Sequence, residues 1–207
     1  MSSADSPADH GVGHSVLQVP VPALDPWVRR RTAFYDTDYL SDDPAFTHAH
    51  ITALGPFLPR HDARTAARVG EVVARFEPFD FTLRRLATFP NGIVHLVPEP
   101  AEPFSRLTSA LFEEFDQCPP YGGAFGIPQP HLTLDALSAD VTENSTRKSL
   151  GAALPARCRA ERLDLAWYQA GDCRLLDSWT LGSALGRTLS QTLGRDPDAS
   201  APAAQNS

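Results

Sequence analysis

The sequence predicts an α+β protein with largely antiparallel sheets, and three observations carry that class. First, Phe79, Phe81 and Leu83 alternate, Pro90-Asn91-Gly92 follows, and Ile93 to Val97 returns. Asn-Gly between apolar runs is the strongest short hairpin signal, because both residues tolerate positive φ. Second, Leu163, Leu165 and Trp167 alternate, Gly171-Asp172 turns the chain, and residues 174–181 come back with Trp179. Third, apolar residues recur at helical spacing between these hairpins.

Each element follows in chain order. Residues 1–14 are polar and acidic and read as a disordered leader. Val16 to Val21 is a β-rich run, and its prolines suggest an edge strand. Asp25-Pro26 opens a helix, with Asp as cap and Pro at the first position, that carries Trp27 and Arg29-Arg30-Arg31 to about Tyr35. Residues 46–54 read as a strand ended by Gly55-Pro56. Asp62 starts a helix with Ala66, Val69, Val73 and Phe76 on one face. Phe104, Leu107, Leu111 and Phe115 mark another. Residues 119–123 form a loop, 130–135 a strand and 142–153 a helix. Leu181, Leu185, Leu189 and Leu193 recur every four residues, which suggests a partly helical tail before a disordered end. The chain thus divides into the leader, one domain over 15–186 and a tail over 187–207. No long-period repeat is visible.

Composition narrows the function. The chain has 207 residues, 42% of them hydrophobic, enough for one real core. Lys+Arg 18 against Asp+Glu 25 gives a net charge of -7, and Lys148 is the sole lysine. Such a chain is unsuited to gripping long duplex nucleic acid, which needs a basic surface. A small anion in a locally positive cleft remains compatible. No stretch resembles a secretory signal, a transit peptide or a membrane-spanning helix. Cys118, Cys158 and Cys173 are odd in number and form no CxxC pair, so they read as reduced thiols of a cytoplasmic protein.

Two segments share a pattern: His50-Ile51-Thr52 and His131-Leu132-Thr133. Each lies in a strand-like run, where residues two apart share a face. Each His and Thr then point one way, while Ile51 or Leu132 faces the core. Two imidazoles and two hydroxyls converging on one cleft suit in-line displacement at phosphorus. One neutral imidazole takes a proton from the attacking oxygen, and the other, protonated, gives one to the leaving oxygen. The hydroxyls donate to the non-bridging phosphate oxygens. Neither a metal nor a cofactor is called for. One His-x-Ser/Thr alone is ordinary by chance; two of the form His-apolar-Thr are more specific.

These residues resemble the 2H phosphoesterase superfamily, in its 2'-5' RNA ligase-like or cyclic phosphodiesterase branch. His50 to Phe57 looks like the first motif with its Pro-Phe exit. Phe89-Pro90 and Ile93 to Pro98 look like the central hairpin. Pro119 and Tyr121 to Phe125, leading into Pro130-His131-Leu132-Thr133, look like the second motif and its loop. Ala53 departs from a more usual large apolar residue. The resemblance covers roughly residues 16–183. It implies a two-lobed fold, antiparallel sheets with outer helices around a central cleft, so that the domain over 15–186 is bilobal and catalytic. It implies a hydrolase for 2',3'-cyclic phosphates or related phosphodiesters on small nucleotides and RNA ends. His131 would be general base, His50 general acid, and Thr52 and Thr133 would hold the phosphate. The implied partner is a small nucleotide or an RNA terminus with a cyclic phosphate, met by a monomer without a membrane. Joining of RNA ends and binding without turnover are the alternatives.

Other residues carry two readings. Tyr121, Phe125 and Phe57 either stack on a base or pack on the core. His48 forms His-x-His with His50, but no Asp, Glu or Cys completes a zinc pattern, so it reads as an accessory or surface residue. His95 reads as a hydrogen-bonded core or cleft-rim residue, and His61 as exposed. Arg60, Arg84 and Arg85 are candidates for extra phosphate contacts, though most such arginines are surface residues, and Arg29-Arg30-Arg31 is too short a run to signal nucleic acid.

Overall fold

The structure is a computed structural model and describes residues 13–119 and 129–183. Among these residues it contains β1 (His14–Pro20), α1 (Asp25–Tyr35), β2 (His50–Leu54), α2 (Ala63–Val73), β3 (Phe79–Thr88) and β4 (Ile93–Glu99). It continues with α3 (Glu102–Glu114), β5 (Leu132–Ala136), α4 (Glu143–Leu150), β6 (Ala156–Ala160), β7 (Arg162–Tyr168) and β8 (Arg174–Thr180). The strands form two four-stranded sheets, in the orders β2-β1-β7-β8 and β5-β4-β3-β6. Every pairing is antiparallel, in agreement with the α+β class.

Local chemistry explains the elements. Gly92 turns the β3–β4 hairpin at a φ of 88°, and its N–H donates to the Phe89 carbonyl at 2.8 Å. Asp62 caps α2 by accepting the Thr65 N–H at 2.7 Å. Thr142 and Ser145 form a reciprocal capping box that opens α4. One core runs under both sheets. It holds Leu17, Ile51 and Leu54 from the first, Leu83, Leu96 and Leu132 from the second, Val69 and Val73 of α2, and Leu107 and Leu111 of α3. Burying each such side chain is worth about 1.5–3 kcal/mol, which binds the sheets into one body. A smaller cluster of Phe46, Ala166 and Cys173 packs with Tyr39 and Tyr168.

Several expectations are corrected. β1 is an interior strand between β2 and β7, although its prolines suggested an edge. Pro20 ends the strand opposite His50, and the next bond is made by the Val21 N–H to the Ala49 carbonyl at 2.7 Å, so the missing proline donor costs nothing. The strand begins at His14, inside the segment read as leader. Asp25 is the first residue of α1 and not its cap; its carboxylate accepts the Ala49 N–H at 3.0 Å and ties the helix to the start of β2. Only His50–Leu54 of the 46–54 run is strand. β6 was not foreseen, since Ala156-Arg157-Cys158-Arg159-Ala160 lacks large apolar residues. All three cysteines are free. No helix among the described residues is long and apolar enough to cross a membrane. The tail's leucine repeat beyond Leu181, most of the leader, and Tyr121 and Phe125 lie outside the described residues.

Candidate active site

His50-Ile51-Thr52 opens β2, and Leu132-Thr133 opens β5 with His131 just before it; each strand ends its sheet, and the two strands meet. Strand alternation then does the sorting. Ile51 and Leu132 are wholly buried in the common core. His50, Thr52 and His131 are partly accessible, and Thr133 is exposed. The two imidazoles are near enough that charge on His131 opposes charge on His50. The structure therefore brings all four motif residues to one seam between the sheets.

The same backbone device orients each imidazole. His50 Nδ1 lies 2.8 Å from the His48 carbonyl, and His131 Nδ1 lies 2.9 Å from the Gln129 carbonyl. A carbonyl only accepts, so Nδ1 carries the hydrogen in both rings. Nε2 is left as the basic nitrogen of each neutral ring. This is a matched pair of oriented imidazoles built from one i to i-2 contact used twice.

Burial sets their charge. It pushes His50 down to about 4, against the raising effect of the His48 carbonyl, and positive charge on His131 and His48 adds to the push. Burial also lowers His131, against the Gln129 carbonyl. Both rings are thus neutral in the unliganded protein near neutral pH. An anion placed between them favours protonation of one, which is the state that acid and base chemistry needs.

The surroundings are asymmetric. On the His131 side, His95 is 1% exposed and faces Thr133 across the β4–β5 ladder. Its ring stacks on Phe89 at 3.8 Å and 16°, and Phe89 also meets His131 edge-on at 4.9 Å. The rim-or-core reading of His95 is thus met. On the His50 side, Tyr168 and Gln18 approach, two residues that the sequence did not single out. Nothing local marks them, because β1 and β7 join β2 only through the sheet order.

Three expectations change here. Of the two readings of Phe57 the structure shows packing: it is 6% exposed, in the core, edge-on to Phe115 at 5.0 Å. His48 is not a surface residue: it is 6% exposed, and its Nε2 accepts the Ser41 N–H at 3.2 Å. His61 is partly covered, paired with Asp177 at 2.9 Å. Among the described residues no group of three His, Cys, Asp or Glu side chains converges as a metal site requires. Arg84 and Arg85 both face Glu99, at 2.7 and 3.8 Å, so neither is an uncommitted phosphate ligand.

Comparison with known proteins agrees with this fold. The solved structure of E. coli LigT complexed with 3'-AMP superposes with a TM-score of 0.54 at 16% identity, covering 84% of this chain and 100% of that one. E. coli LigT in apo form gives a TM-score of 0.51 at 17% identity over the same shares. These likenesses show the fold. No curated protein matches the sequence. A family model described as the 2'-5' RNA ligase superfamily matches residues 20–172, most of the chain. With its paired His-apolar-Thr strands and its LigT-like fold, the chain belongs to the 2'-5' RNA ligase superfamily of 2H phosphoesterases.

Proposed function

We propose that the protein is a metal-independent phosphodiesterase that hydrolyses 2',3'-cyclic phosphates or related small phosphodiesters of nucleotides and RNA ends. The observation that carries this reading is the pair of Nδ1-anchored imidazoles on abutting strands, each with a threonine two residues on. Water attacks phosphorus while His131 Nε2 takes its proton. The bond from phosphorus to the leaving ribose oxygen breaks, and His50 Nε2–H protonates that oxygen. Thr52 and Thr133 donate hydrogen bonds to the non-bridging oxygens as charge grows there. The product is a phosphomonoester, and the proton count is restored when the rings exchange protons with solvent.

A small ligand suits the net charge of -7, and 3'-AMP in the LigT structure is a ligand of that size. Tyr121 and Phe125 remain the proposed base-stacking residues of the second motif's loop. The site draws on one chain, so a monomer suffices. Free cysteines support a reducing, cytoplasmic compartment.

Turnover of 2',3'-cyclic mononucleotides tests the reading. His50→Ala and His131→Ala should each abolish hydrolysis with the fold intact, and EDTA should leave the wild type unaffected. Retained activity in either variant rejects the two-histidine mechanism. The family description favours one second reading, joining of RNA ends at a 2'-5' linkage by the same residues in reverse. Cleaved RNA with 2',3'-cyclic ends separates the two, since a pure hydrolase yields no joined product.

A further inference from the structure

Behind His50 stands a polar pair, buried Gln18 and half-buried Tyr168, that the reaction above does not use. Tyr168 ends β7, and its ring centre lies 5.8 Å from that of His50. Its phenol oxygen is 2.7 Å from Gln18 Oε1 and 3.2 Å from His50 Nδ1. Gln18 lies on β1, 1% exposed, directly opposite Thr52. An amide this deep is costly unless it is paired. Its Nε2 donates to the Thr47 carbonyl at 3.3 Å.

These donors and acceptors fix one another. The Thr47 carbonyl only accepts, so the Gln18 nitrogen faces it and Oε1 faces Tyr168. That oxygen only accepts, so the phenol hydrogen points to Gln18. The phenol's lone pairs are left for His50 Nδ1. That nitrogen also faces the His48 carbonyl at 2.8 Å. It must therefore carry a hydrogen, which two acceptors share.

We infer that Tyr168 and Gln18 are positioning residues for His50, holding its Nδ1–H tautomer and steadying the ring when it is protonated. The inference rests on His50 being a proton-transfer group, as proposed above. Among the described residues His131 has no such support: its Nδ1 meets the Gln129 carbonyl, and aromatic edges occupy its flank. The charged or titratable groups facing His50 are His48, Asp25 and His131, with Tyr168 itself. His14, Asp164, Cys173 and Asp25 face Tyr168, and Arg29 faces His48. Burial raises the Tyr168 phenol far above its ordinary value, so it stays a neutral hydrogen-bonding group.

Nitrogen-15 NMR on the full chain reads the tautomer and titration of His50 without turnover. The wild type should show the Nδ1–H form. Tyr168→Phe keeps the ring and removes one acceptor. His50 should then titrate about one pH unit lower, and kcat on a 2',3'-cyclic nucleotide should fall roughly 10- to 100-fold with KM little changed. Gln18→Met frees the phenol hydrogen to turn toward Nδ1. The Nε2–H form should rise in that variant and fall again in the double variant with Tyr168→Phe. A wild-type His50 in the Nε2–H form overturns the inference. So does a folded Tyr168→Phe whose His50 titration and kcat match the wild type. If Tyr168→Phe does not fold, the wild-type tautomer and Gln18→Met decide. Failure of the phosphodiesterase reading looks different: the wild type is inactive on cyclic phosphates while the NMR result stands.

Discussion

The ring of His95 meets that of His131 edge-on, 5.3 Å between centres at 70°. Burial lowers the His95 pKa, so it props its neighbour as a neutral ring. Its shape should matter more than its nitrogens. His95→Ala should cost about 2–4 kcal/mol by analogy with other large-to-small core changes, and slow turnover by roughly tenfold. His95→Phe, which preserves the stack on Phe89, should recover most of both. Denaturant melts and kcat together check this. A folded His95→Phe as slow as His95→Ala would show that a ring nitrogen is needed.

The motif strands were legible in the sequence because strand alternation leaves a local trace. His50 and Thr52 fall on one face and Ile51 on the other, and the same holds for His131, Leu132 and Thr133. The Asn91-Gly92 hairpin and the Asp62 cap were readable for the same reason: their chemistry is complete within a few residues. What the sequence hid is non-local. Pro20 suggested an edge because nothing nearby shows that β7 pairs with β1 on its other side. Phe57 has the same apolar ring in a cleft or a core, and only its contact with Phe115, far along the chain, decides. Gln18 and Tyr168 are 150 residues apart, so their hydrogen bond leaves no spacing to detect.

The lowered imidazoles set the pH dependence of catalysis. In the proposed mechanism the active form carries one proton on the pair, so the apparent values belong to both rings together. As pH rises past the lowered value of His131, both rings become neutral and the rate falls. As pH drops through about 4, where burial has pushed His50, both are charged and the rate falls again. The kcat/KM profile should therefore peak on the acid side of about 6.5, the ordinary imidazole value. The kcat profile should lie at higher pH, because bound phosphate stabilises the imidazolium. A kcat/KM maximum above the ordinary imidazole value contradicts this order.

The same burial links His50 to stability. Its folded pKa lies below its unfolded one, so the unfolded chain binds more protons between about 6.5 and 4. Stability from this group is complete above the unfolded value and lost as pH falls through that window, by at most about 3 kcal/mol. His50→Asn removes the titration. Its unfolding free energy should fall less steeply over the same range, as urea melts at several pH values will show; parallel curves would place the linkage elsewhere.

Thr52 and Thr133 should act through their hydroxyls. Thr→Val keeps shape and removes the donor. Each substitution should lower kcat/KM roughly 10- to 100-fold, since hydrogen bonds to a charged oxygen are lost at the transition state. Thr133 is exposed, so its variant should melt as the wild type does. Thr→Ser at either position should restore most activity. A Ser variant as poor as Val would place the effect in packing, not donation.

Asp135 supports the second motif from behind. It is 4% exposed, accepts Arg31 Nε at 2.6 Å and Tyr35 Oη at 3.0 Å, and closes a short contact with Thr146 Oγ1. The Arg31 guanidinium also lies over the Phe34 and Tyr35 rings, at 4.6 and 4.9 Å. The third arginine of the run 29–31 is thus committed inside the fold, joining α1 to β5 two residues after Thr133. Asp135→Asn keeps the shape but removes the charge facing Arg31. That leaves a half-buried cation without its counter-ion, a change that should cost about 1–3 kcal/mol. Arg31→Met together with Asp135→Asn should cost less than the sum of the two single changes, because neither charge is then left alone. Urea melts of the four proteins measure the coupling. Additive losses would show that the pair does not pin α1 to β5.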